Sequence, residues 1–65
     1  MRDKQQIKDS IAALTADIEL LDHLIYDPGT GFSELKEPVK RALNAELHKS
    51  RELLTAKQTV LRLLG

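Results

Sequence analysis

Residues 7–25 read IKDSIAALTADIELLDHLI. Within them Ile7, Ile11, Leu14, Ile18, Leu21 and Ile25 recur at spacings of four, three, four, three and four residues. At roughly 3.6 residues per helical turn, that rhythm places all six on one narrow stripe. In heptads, Ile11, Ile18 and Ile25 hold one core position and Ile7, Leu14 and Leu21 the other. A stripe of this kind is a seam for another helix. The rest of the chain supplies one.

Sixty-five residues make one domain, 1–65, near the size at which a chain stops burying enough surface to fold alone. Small chains make up the difference with disulfides, a metal or a second copy of themselves. Cysteine is absent, which excludes disulfides and thiolate chemistry, and no cluster of ligand residues replaces it. Oligomerisation is therefore the expected solution. Ten basic and ten acidic side chains cancel, so the overall charge of a typical nucleic-acid binder is missing. No apolar run approaches the roughly 18 residues of a membrane span, and Met1 is not followed by a signal-peptide pattern. The expectation is a soluble cytoplasmic protein.

Taken in order, Asp3 reads as an N-cap, with Gln6 completing a capping box ahead of Ile7. Helix 1 is predicted over about 4–26. Ala12, Ala13 and Ala16 flank its stripe early, and Leu20 and Leu24 widen the apolar arc near its end. Asp27-Pro28-Gly29-Thr30-Gly31 is turn chemistry; it lacks the glycine spacing, the following lysine and the preceding strand of a phosphate-binding loop. Phe32 and Leu35 are expected to fold back on Leu24 and Ile25 and plug the closed end. A short helical turn is predicted across Ser33 to Lys36, within a connection spanning 27–37. Pro38 is placed at the first position of helix 2, predicted over about 38–64, with Glu37 and Arg41 as an i,i+4 ion pair.

Helix 2 carries the stripe Val39, Leu43, Leu47, Ser50, Leu54, Lys57, Leu61 and Leu64. A second row, Ala42, Leu53, Ala56, Val60 and Leu63, widens it toward the C-terminal half. Helix 1 thus broadens toward the turn and helix 2 away from it. One antiparallel hairpin cannot match two broad regions at opposite ends, and a second hairpin can cover both. Charge favours the pairing within the hairpin. Residues 1–26 hold Arg2, Lys4 and Lys8 against Asp3, Asp9, Asp17, Glu19 and Asp22; residues 38–65 hold six basic and two acidic side chains.

Glu46, Ser50 and Lys57 interrupt the apolar arc. At the arc's edge, Glu46 and Lys57 would snorkel to water. Their eleven-residue separation also gives them nearly one azimuth. On an antiparallel mate, Glu46 would face Lys57 of the other chain, bringing Leu43 toward Val60 and Leu47 toward Ala56. The expected dimer interface is Leu43, Glu46, Leu47, Leu53, Ala56, Lys57, Val60 and Leu64.

Chemistry is thinly represented. His23 lies a turn beyond Glu19 and His48 a turn before Glu52, but a structural zinc takes four ligands and the di-metal Glu-x-x-His motifs are absent. Ser10, Ser33 and Ser50 have no histidine and orienting acid that helical geometry brings to them. No enzyme activity, metal, cofactor or small-molecule substrate is expected. The outer face of helix 2 presents Lys40, Arg41, Asn44, His48, Arg51, Thr55, Gln58 and Arg62, a basic strip able to track phosphates; Lys40, Arg41, Asn44, Arg51 and Arg62 form its candidate nucleic-acid face. The sequence predicts an all-α antiparallel two-helix hairpin dimerising into a four-helix bundle. The expected role is that of a small regulator, inhibitor or assembly subunit binding a macromolecular partner, with RNA or DNA binding as the alternative. One hairpin of a hetero-complex is a third possibility.

Overall fold

The computed structural model describes residues 2–65. Two helices, α1 (Arg2–Tyr26) and α2 (Glu37–Leu64), lie antiparallel against each other, with a single 3-10 turn, Phe32–Glu34, between them. Neither helix contains glycine, and the only proline within them stands in the first turn of α2, where no intrahelical N–H bond is lost. The body measures 46 × 18 × 13 Å with a radius of gyration of 14.5 Å. A compact chain of this length would give about 11 Å. Among the described residues the hairpin is a rod with one long seam and no second layer behind it.

The boundaries follow from local chemistry. Asp3, expected to cap α1, lies inside it, because the helix already runs from Arg2; its carboxylate favours the positive end of the dipole from within the first turn. At the other end the Asp27 N–H donates to the His23 carbonyl, and the Thr30 hydroxyl donates 2.7 Å back to the Leu24 carbonyl. Thr30 therefore satisfies one of the orphan acceptors every helix leaves at its end. Gly29 and Gly31 take φ of 83° and 80°, the left-handed region that only glycine occupies without cost. The 3-10 turn is shorter and earlier than the Ser33–Lys36 turn expected. Lys36 is extended and caps α2, its carbonyl receiving the N–H groups of Val39 and Lys40. Pro38 is thus the second residue of α2 rather than the first.

Inside the hairpin the α1 stripe is as the sequence has it, and Ile18 is its buried centre. On α2 the buried pair is Leu47, 2% exposed, and Ser50, 8% exposed. Lys40, not Val39, occupies the seam's first turn on α2: its side chain lies partly buried and its ammonium is 2.9 Å from Glu37. Val39 stays exposed. This corrects both the stripe and the expected Glu37–Arg41 pair. The i,i+3 geometry suits a lysine whose stem is part-buried, whereas Arg41 is exposed. Phe32 is half-buried at the closed end, but Leu35 remains exposed, so the plug is one residue and not two.

Candidate interaction surfaces

The two repeats share one rhythm. Ile7 to Ile25 and Leu43 to Leu61 both advance by four, three, four, three and four. Lys4 lies beside Gly65 at the open end, and Arg51 donates 2.6 Å to Asp22 nearer the turn, so the helices run alongside each other over most of their length. Asp22 directly follows Leu21 of the α1 seam, and Arg51 directly follows Ser50 of the α2 seam. Both are therefore at the heptad position that flanks a core and pairs with its like across an antiparallel seam. The spacing alone could have found this pair. It also marks one flank of the hairpin as polar.

The other flank is apolar. At about 100° per residue, Leu24, Ala13 and Leu20 fall on the side of the α1 seam opposite Asp22. Leu53, Val60 and Ala42 likewise fall on the side of the α2 seam opposite Arg51. The two helices are antiparallel, so both sets share one face of the molecule. Leu24 is part-buried there, but most are exposed: Leu20 68%, Leu53 47%, Val60 45%, with Val39 and Leu64 comparable and Leu63 at 81%. The accessible surface totals 5073 Å². A compact monomer of 7.3 kDa would show about 4,200 Å². The excess of roughly 900 Å² is what an elongated rod exposes over a compact body of the same mass.

The structure divides the expected dimer interface into two groups. Leu47 is buried against α1, and Leu43 and Lys57 are part-buried along the same seam, so these three serve the hairpin itself. Glu46, Leu53, Ala56, Val60 and Leu64 are exposed and form the outer row. The reason is the register: Leu47 and Ser50 are central to the seam, whereas Leu53 and Val60 lie about 80–100° round the helix.

The basic strip is also divided. Lys40 is paired with Glu37 and Arg51 with Asp22. Asn44 donates to the Lys40 carbonyl at 3.0 Å, and Thr55 to the Arg51 carbonyl at 3.1 Å, so both turn back on their own helix. Arg62 touches Thr59 at 3.4 Å. Arg41 and Arg62 remain outward cations of the candidate nucleic-acid face.

The histidines are helix-surface partners. His48 Nε2 is 3.0 Å from Glu52, as the spacing suggested. His23 pairs with Asp27, four residues on, rather than with Glu19, four residues back. Glu19, Asp22, His23, Tyr26, Asp27 and Arg51 line a shallow open groove on the polar flank. Among the described residues no group of three or more acidic, histidine or cysteine side chains is placed to hold a metal ion. No helix among them is long and apolar enough to cross a membrane. Comparison with protein families, with curated proteins and with solved structures returns no match to this chain.

Proposed function

We propose that this chain is a small non-enzymatic interaction protein, a cytoplasmic helical hairpin that pairs with a second copy into a four-helix bundle. As a regulator, inhibitor or assembly subunit it would bind a macromolecular partner with the surface that pairing leaves outside. One observation carries the reading: Leu20, Leu53, Val60 and Leu64 lie uncovered on the apolar flank of a rod with little buried core. Large apolar side chains left exposed together on one face are the mark of an association surface. The alternative, RNA or DNA binding through helix 2, has weaker support, since two of its four cations already face carboxylates.

Sedimentation equilibrium at micromolar concentration tests the first reading. A dimer is expected; a compact, cooperatively melting monomer overturns it. Retention of nucleic acid through purification, abolished by Arg41→Glu with Arg62→Glu, would favour the alternative instead.

A further inference from the structure

We propose that the chain cuts itself at the Asp27–Pro28 bond in mild acid. Asp27 is the nucleophile, Thr30 polarises the carbonyl under attack, and His23 positions the carboxylate. This is a single reaction of the chain on its own turn, independent of the dimer read above. Several observations meet on one peptide group. Asp27 precedes a proline, whose tertiary-amide nitrogen accepts a proton and leaves more readily than an ordinary peptide nitrogen. The Thr30 hydroxyl lies 2.7 Å from the Leu24 carbonyl oxygen and 3.3 Å from that of Asp27, so its hydrogen can turn from one to the other. His23 Nδ1 meets Asp27 Oδ2, which leaves Oδ1 free to attack. Glu19, Asp22, Tyr26 and Arg51 share the groove with this pair, but Arg51 is already held by Asp22. Asp27 and Pro28 are both exposed, so water reaches the bond.

Asp27 Oδ1 adds to the Asp27 carbonyl carbon, an attack within one residue that needs no approach of a second molecule. The carbonyl oxygen gains negative charge as the ring closes, and the Thr30 hydroxyl donates to it there. The C–N bond to Pro28 then breaks, its electron pair staying on nitrogen, which takes a proton from solvent. The cyclic anhydride left on Asp27 adds one water, which frees the α-carboxyl and restores the side-chain carboxyl. Water is the only co-reactant. Because α1 ends at Tyr26 and α2 begins at Glu37, the cut falls between intact helices. It converts one hairpin into two chains joined by the seam alone, whose pairing then depends on concentration.

The test incubates the purified chain at about pH 5, where an ordinary imidazole is charged and an ordinary carboxylate still ionised. Mass spectrometry should find fragments 1–27 and 28–65 accumulating at least about tenfold faster than in the same buffer with denaturing urea. Equal rates in the folded and unfolded chain would reduce the cut to the chemistry of any Asp–Pro bond and overturn the proposal, as would no cut at all. Asp27→Ala should abolish the reaction. Thr30→Val should slow it about tenfold with the helical circular dichroism retained, and Thr30→Ser should restore it. Cleavage of Thr30→Val at the full rate would overturn the part given to the hydroxyl. A charged imidazole donates from both nitrogens. The loss on His23→Ala should therefore be largest where an ordinary imidazole is charged and fade above that range. A loss that ignores pH would overturn the positioning role of His23.

Discussion

Helix α2 carries two parallel rows that differ in an instructive way. The inner row, Leu43, Leu47, Ser50, Leu54, Lys57 and Leu61, includes a hydroxyl and an ammonium, yet it runs along the seam, and Ser50 is more deeply buried than any leucine on this helix except Leu47. The outer row, Val39, Glu46, Leu53 and Val60, is no less apolar near the C-terminal end, yet it faces solvent. Burial in this hairpin follows geometry before hydrophobicity. One neighbouring helix covers one stripe, about a third of a helix surface, and whatever sequence falls there is buried. The apolar side chains left outside are those a second layer would cover.

The largest effect is expected at the inner row. Leu47→Asp places an unpaired charge at the best-covered position and should cost several kcal/mol, enough to abolish the helical circular dichroism at 25 °C. Leu21→Asp and Leu54→Asp should do the same at part-buried sites of the seam. A helical, cooperatively folded protein in any of the three would mean the seam is on the wrong face.

The outer row should respond differently. Leu53→Asp with Val60→Asp removes apolar surface that touches little within the hairpin. On the proposed dimer, the expected result is a monomer whose melting temperature does not change with protein concentration, whereas that of the unsubstituted chain rises. Unaltered dimer mass would assign the association surface elsewhere.

Ser50→Ala should act in the stabilising direction. The substitution raises helix propensity and removes a hydroxyl from the middle of the seam, and chemical denaturation should show a gain of about 0.5–1 kcal/mol. A loss would mean that the hydroxyl is used. Smallest of all is the polar flank. Arg51→Met should cost no more than about 1 kcal/mol, and less in high salt, because the Asp22 pair is half in water.

Much of the fold was legible because it is local. A four-three repeat, a Pro-Gly turn and a second four-three repeat leave a chain of this length few options other than a hairpin, and the observed ends lie within two residues of those expected. The misplaced details are capping details. Asp3 looked like a cap by residue type, but it lies within the first turn of α1. Thr30 was read only as turn filler, although its hydroxyl closes α1 by reaching six residues back to Leu24. Of the candidate surface, the outer row was named in the sequence but mixed with seam residues. Leu47 and Leu53 have the same side chain, and only their positions around the helix relative to the partner separate them.

The amino-acid order by itself determined two amphipathic helices and the turn that folds them together, since spacing on a helix and backbone freedom at proline and glycine are properties of neighbours along the chain. Only the tertiary structure decided which leucines α1 covers, which cations carboxylates hold, and that the apolar remainders of both helices share one face. Those outcomes depend on the register and rotation of one helix against the other, set by packing summed along the whole seam.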